Sequence, residues 1–258
     1  MKIVVIGGTG LIGSRLVKAL RDTDHMVVSA SPDSGVNTIT GEGLAEVLLN
    51  ADAVVDVSNS PSYEENAVMR FFETSTTNLL DAEKVAGVQH HVVLSIVGID
   101  RLPDSPYYRA KLAQENLVKN SLVPYTILRS TQFFEFLNGI ANASTDGDRV
   151  VLSPAYVQPI AADELVRKLA EIVTGPPANA TREVAGPEKF RLSEIVGKYL
   201  SATADPRSVT DDTNALYFGT RLDDNSLIPA GGASLGTRSF SDWLAGRSLE
   251  LRSSARTG

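Results

Sequence analysis

Apolar residues along the chain cluster in short unbroken runs: Lys2 to Ile6, His25 to Ser29, Ala53 to Val57, His91 to Val97 and Tyr125 to Leu128. Each run is rich in Val and Ile and lacks the polar alternation of a half-exposed strand, so the pattern predicts strands buried on both faces. Between them, Leu11 to Arg21, Gly43 to Leu49, Ala67 to Ala86 and Tyr107 to Lys119 carry helical length and spacing. The alternation predicts an α/β fold, a doubly wound parallel sheet of the Rossmann kind.

Beyond residue 150 the pattern loosens. Short strands are expected at Arg149 to Leu152 and Arg182 to Ala185, around a helix from Asp163 to Val173 and the break "GPPANAT". Asp163 and Glu164 suit the positive end of that helix. A further helix is expected after Ser193, with that serine as N-cap, and another near Phe240 to Leu244, before a frayed "RSSARTG". The expected division is a dinucleotide-binding core over 1–150 and a small substrate lobe over 151–258, interleaved with the core sheet.

Composition narrows the chemistry. The 258 residues carry a net charge of -7 and show no basic run, which argues against nucleic acid and anionic membrane as partners. The absence of cysteine removes disulfides, thiolate zinc sites and a thiol nucleophile. The three histidines include the adjacent His90 and His91, which on a strand point to opposite faces, so no metal site is expected. The opening apolar run is too short for a secretion signal, and no stretch reaches the roughly 18 residues of a membrane span. A cytoplasmic protein acting on a small molecule is the expectation, with a homodimer left open.

Directly after the first run comes "GGTGLIGSR". Gly7, Gly8, Thr9, Gly10, Leu11, Ile12 and Gly13 therefore form a strand-to-helix loop in which bare backbone amides can approach a pyrophosphate at a helix N-terminus. Where the second strand ends, an acid about 20 residues on would select NAD, but Ser31 and Ser34 occupy "SASPDSG". Hydroxyls there favour NADP, with NAD still open through Asp33. Arg15 is a candidate phosphate partner.

Tyr107 and Lys111 stand one helical turn apart, Ser105 is placed to cap their helix and Pro106 suits its first turn. An ammonium beside a phenol lowers the phenol pKa from about 10. Spacing leaves Tyr108 open as well. Ser95 closes the fourth run, at the sheet edge where ligands bind in open α/β folds.

A glycine loop, a strand-end serine and a downstream Y-x-x-x-K together resemble the short-chain dehydrogenase/reductase family, over essentially the whole chain. "DVSNSPS", "TTNLLDAEKVAGVQHHVVLS", "YYRAKLAQE" and "YTILRSTQFFEF" are most similar to its atypical, NmrA-like NAD(P)-binding branch. The resemblance implies that Tyr107 protonates a carbonyl oxygen as hydride arrives, that Lys111 holds the nicotinamide ribose and depresses the tyrosine pKa, and that Ser95 polarises the carbonyl. Phe71 or Phe72 stands where enzymes of the family often carry an asparagine, and Asn78 fits a later, structural one.

Ser58 and Asn59, after the third strand, are expected against the adenosine half of the cofactor. After the fifth strand, Ser130 and Thr131 are expected at the nicotinamide, and Gln132, Phe133 and Phe136 at the substrate. Arg129 and Glu135 read as an ion pair. The function so implied is an NADP-dependent oxidoreductase of a small carbonyl, alcohol or quinone-like compound. A non-catalytic NAD(P) sensor is the alternative, and a nucleotide-sugar epimerase or dehydratase ranks third.

Overall fold

The computed structural model describes residues 1–254, with side chains described through residue 247. The first half alternates strand and helix: β1 (Lys2–Ile6), α1 (Leu11–Arg21), β2 (Met26–Ala30), a 3-10 turn (Pro32–Ser34), α2 (Leu44–Leu48), β3 (Ala53–Asp56), α3 (Glu65–Ala86), β4 (His90–Ile96), α4 (Pro106–Asn120) and β5 (Tyr125–Ser130). There follow α5 (Leu137–Ala143), β6 (Thr145–Asp146), β7 (Arg149–Leu152), β8 (Tyr156–Val157), α6 (Ala162–Thr174) and β9 (Ala180–Ala185). The chain continues through β10 (Phe190–Arg191), α7 (Leu192–Ala202), β11 (Ser208–Asp211), β12 (Ser234–Leu235) and α8 (Phe240–Ser254). The end of the expected frayed tail, from residue 255, lies outside the described residues.

Seven strands form one sheet in the order β12-β9-β5-β4-β3-β1-β2. The ladders from β2 through β5 are all parallel, with Val4 opposite both Val28 and Val54. Strand order reverses between β1 and β3, so their carboxyl ends open a crevice at the switch point of a doubly wound fold.

Two compact units are present. One comprises Met1–Ser130 and Leu165–Glu183, the other Thr131–Glu164 and Val184–Gly258. The division falls after Ser130 rather than residue 150, because the chain ends β5 there and returns to the first unit with most of α6 and β9.

The first unit is built on its strands. Val4, Ile6 and Val54 pack with Leu44 and Leu48 of α2 and Leu79 of α3, all buried. A second cluster joins Leu80, Val93, Val118 and Ile127. Burying a side chain of this size contributes about 1.5–3 kcal/mol, which is why strands so rich in Val and Ile hold the sheet's centre. Helix α1 turns Ile12, Leu16, Val17 and Leu20 inward at the helical period.

In the second unit, Phe134, Phe240 and Trp243 pack with ring centroids 5.4–5.9 Å apart. Helix α7 starts at Leu192 with Arg191, not Ser193, at its N-cap. The β8–β10 pairing carries the chain straight into the helix, and the Leu192 amide donates to the Ala155 carbonyl at 3.0 Å. Among the described residues, no helix is long and apolar enough to cross a membrane.

Candidate functional site

The glycine loop closes the crevice between β1 and β3. Gly7 has φ +77°, and a Cβ on it would lie 2.8 Å from the Ser58 backbone. At Gly13 a Cβ would strike the Gly7 carbonyl oxygen and lie 2.8 Å from Gly8 Cα. Only a loop bare at these positions lets α1 start so close to the sheet.

Gly10 is the N-cap of α1, with no side-chain cap and no acid in the first turn. Thr9, Gly10 and Leu11 are exposed. An uncapped helix start with a bare backbone approach fits a pyrophosphate.

At the end of β2, Ser31 opens the 3-10 turn. Its Oγ is buried and faces the Ser34 amide in a capping box, and its own proton has no acceptor among the described residues. Ser34 is differently placed: its hydroxyl accepts from the Ser31 amide and donates to the Ser31 carbonyl, both at 2.9 Å. The expected phosphate donor is thus occupied in closing its own turn. Asp33 is exposed.

After β3, the Ser58 amide and hydroxyl donate to Asp56 Oδ1 at 2.9 and 2.6 Å. Asn59 Oδ1 accepts from Tyr107 at 2.9 Å and from the Ser60 amide at 3.0 Å. The turn expected at the adenosine half is therefore tied to β3 and to α4.

Helix α4 carries the expected Tyr/Lys pair, with Ser105 accepting from the Tyr108 amide at its N-cap and Pro106 in the first turn. The two side chains both meet the Phe72 ring but hydrogen-bond to different partners. Tyr107 joins Tyr63 and Phe72, its ring centroid 5.6 and 5.9 Å from theirs. Burial, with Tyr63 and Tyr108 adding to it, pushes the Tyr107 phenol above its ordinary value. This corrects the expectation that Lys111 depresses it.

Lys111 is 4% exposed. Its Nζ donates to the Leu94 carbonyl at 2.8 Å and to Gln114 Oε1, and sits 4.7 Å from the Phe72 ring centroid. Burial pulls its pKa down to about 8, against the opposing pull of Asp56 and Glu115. Gln114 passes the contact on, its Nε2 donating to Asp56 Oδ2 at 2.9 Å.

Ser95 faces α4 as well, and its hydroxyl donates to Glu115 Oε1 at 2.7 Å. That carboxylate also binds Arg129 through Nε and Nη2, both at 2.8 Å, and Lys119 at 2.9 Å. Arg129 and Ser95, with Lys119, hold Glu115 below the ordinary carboxylate range although burial opposes them. A serine has one proton to donate, and this one is committed to a structural node.

Arg129 thus pairs with Glu115 and, at 3.3 Å, Asp100. In the second unit Glu135 accepts from the Ala162 amide at 3.1 Å and Trp243 Nε1 at 3.2 Å. Ser130 is buried at the end of β5. In the second unit, Thr131 donates its amide to Val184 at 3.1 Å, the Gln132 carbonyl accepts from Ile160 at 2.9 Å, and Phe133 bridges to Ile160. Phe136 is exposed and stacks on Phe218 at 5.8 Å. Asn78 donates to the Thr38 and Ile39 carbonyls at 2.9 and 3.0 Å, a structural role.

A sequence profile described as NAD(P)H-binding matches residues 7–150, more than half of the chain. The chain belongs to this NAD(P)H-binding family. The match begins at Gly7 and takes in β2, the Ser58 turn, Lys111 and β5.

Among curated proteins it is 28% identical over 153 residues to photosystem II assembly factor Ycf39 of Synechocystis, covering 54% of this chain and 47% of that one. It is 27% identical over 223 residues to NAD(P)H azoreductase of Xenophilus azovorans, covering 79% and 74%. The chain spans about half the length of the Ycf39 relatives it matches. A short-chain dehydrogenase/reductase superfamily protein from Agrobacterium tumefaciens, solved with bound NAD, has the same fold: TM-score 0.68, 17% identity, 99% of this chain and 100% of that one covered.

Three members of the site were not singled out from the sequence: Asp56, Gln114 and Glu115. Asp56 had a signal, as the charged end of an otherwise apolar strand. Gln114 stands three residues from Lys111, a helix neighbour. Glu115 stands one turn from Lys119, but its partners Ser95 and Arg129 come from β4 and β5 and left no local sign.

Proposed function

We propose that this protein is an NADP-dependent oxidoreductase that reduces a small quinone-like compound, or acts on a related carbonyl or alcohol. The observation that carries the reading is the bare, uncapped loop from Gly7 to Gly13, facing the Ser58 turn in the switch-point crevice. Gly7, Gly8, Thr9, Gly10, Leu11, Ile12 and Gly13 would hold the pyrophosphate, and Ser58 and Asn59 the adenosine side. Lys111 would hold the nicotinamide ribose. Ser31, whose buried hydroxyl caps its turn and keeps a proton to give, supports a contact to the adenosine ribose or its 2′-phosphate. The residue that follows β2 is Ser31 rather than an acid, and Asp33, two residues on, is exposed, which favours NADP over NAD.

When bound, NADPH supplies a hydride. A ketone reduced this way becomes an alkoxide that needs a proton donor, whereas a quinone becomes a phenolate whose pKa, near that of tyrosine at about 10, lets water supply the proton. Tyr107 gives its hydroxyl hydrogen to Asn59 and Ser95 gives its own to Glu115, which supports an acceptor that needs no strong acid. The relative named NAD(P)H azoreductase supports a reductase.

The same two commitments favour one other reading, a non-catalytic NAD(P) sensor, and the relatives named as assembly factors agree with it. Thermal unfolding with NADPH, NADP, NADH and NAD, followed by NADPH oxidation with a panel of quinones, separates them. The expected result is strongest stabilisation by NADPH and turnover with at least one quinone. Stabilisation far greater with NADH would overturn the NADP assignment. Tight NADPH binding without oxidation by any acceptor would establish the sensor.

A further inference from the structure

Lys111 lies at one end of an unbroken chain of contacts. Its ammonium meets Gln114 Oε1, Gln114 Nε2 meets Asp56 Oδ2, and Asp56 Oδ1 holds the amide and hydroxyl of Ser58, whose backbone lies against Gly7. Lys111, Gln114 and Asp56 are all at most 4% exposed, so water does not compete for these bonds.

The amide of Gln114 can sit in one sense only. Its oxygen must face the cation and its nitrogen the anion, since the reverse would set donor on donor and acceptor on acceptor. An aspartate and a lysine are thereby joined at one remove, through a neutral dipole rather than a direct ion pair.

We propose that Gln114 is a positioning residue that couples Lys111 to the Asp56–Ser58 turn, so that the lysine and the turn beside the glycine loop move as one unit. The coupling stands on the geometry; its use in cofactor binding rests on the function proposed above. An ammonium has three donors, and two are spent on the Leu94 carbonyl and Gln114. The two fixed bonds set where the third points.

The groups that act on the Lys111 charge come from every side. Asp56 approaches from β3, Glu115 from α4 itself, and His91 from β4, which is in turn paired with Glu83 of α3. The Phe72 ring covers the α3 side. Gln114 is an uncharged side chain that accepts directly from the ammonium, so changing it to Glu or Met alters the lysine's surroundings in opposite senses.

The test follows the Lys111 amine in the whole, nucleotide-free protein by NMR of 13Cε-labelled lysine, titrated from about pH 6.5 to 10.5. Its resonance is assigned by its loss in Lys111→Met. Gln114→Glu should move the midpoint up by about one unit or more, and Gln114→Met should move it down. NADPH affinity, read by fluorescence near pH 7 and pH 9, should then hold to higher pH in Gln114→Glu than in wild type.

Two folded variants with an unmoved midpoint would overturn the proposal, even if both melt earlier, since a merely structural glutamine predicts that result. Should either variant fail to fold, Asp56→Asn read by the same resonance decides: a lowered midpoint supports the chain of contacts and an unchanged one overturns it. Midpoints that shift as expected in a protein that binds no NADPH would support the coupling and overturn the cofactor reading.

Discussion

Two residues show how strongly the site depends on single atoms. A methyl group added at Gly13 has nowhere to go, because the Gly7 carbonyl and Gly8 Cα already occupy the space. Gly13→Ala should lower stability by about 1–3 kcal/mol, read from the urea midpoint, and should also abolish stabilisation by NADPH. Lys111 makes a second prediction, in pH. The unfolded chain keeps this proton up to the ordinary lysine value of 10.5, whereas the folded chain releases it at about 8. Between those values the unfolded state binds more protons, so the group adds stability as pH rises through the window and withdraws it as pH falls back through 8. The wild-type unfolding free energy minus that of Lys111→Met should therefore rise by on the order of 3 kcal/mol from pH 8 to 10.5 in urea titrations at stepped pH. A flat difference would mean that the lysine is not buried as described.

Helix α4 is the element on which the site turns. It bears Tyr107, Lys111, Gln114 and Glu115, and its start is set by Ser105 and Pro106. Ser105→Ala should cost about 1 kcal/mol, measured by denaturant unfolding, and should loosen Lys111 because the first turn frays toward it. The helix was legible from its cap and spacing, and so was the glycine loop, since both signals lie within a few consecutive residues. The direction of each side chain was not. Tyr107 and Lys111 sit one turn apart, as read, yet the phenol leans on Tyr63 and Phe72 while the amine is drawn under Leu94 and Gln114. Helical spacing puts two residues on one face, but the neighbouring elements decide where each one points.

For the whole molecule, binding to the folded state alone raises its stability by about 2.7 kcal/mol at a hundredfold excess over Kd. For a chain of this size that is a rise of roughly 5–10 °C in Tm, the scale on which the four nucleotides should be compared. Gly13→Ala should show none of it while remaining folded. The buried Val and Ile runs determined the parallel sheet, and the strand–glycine–helix junction determined the bare loop proposed to hold a dinucleotide, because hydrophobic period and loop chemistry are local properties of the chain. Only the tertiary structure decided that Ser95 serves Glu115, that Arg129 pairs with Glu115, and that Gln114 stands between Lys111 and Asp56. Those partners are distant in sequence or differently oriented on one helix, and a buried polar group takes whichever partner the packing of strand against helix brings within reach.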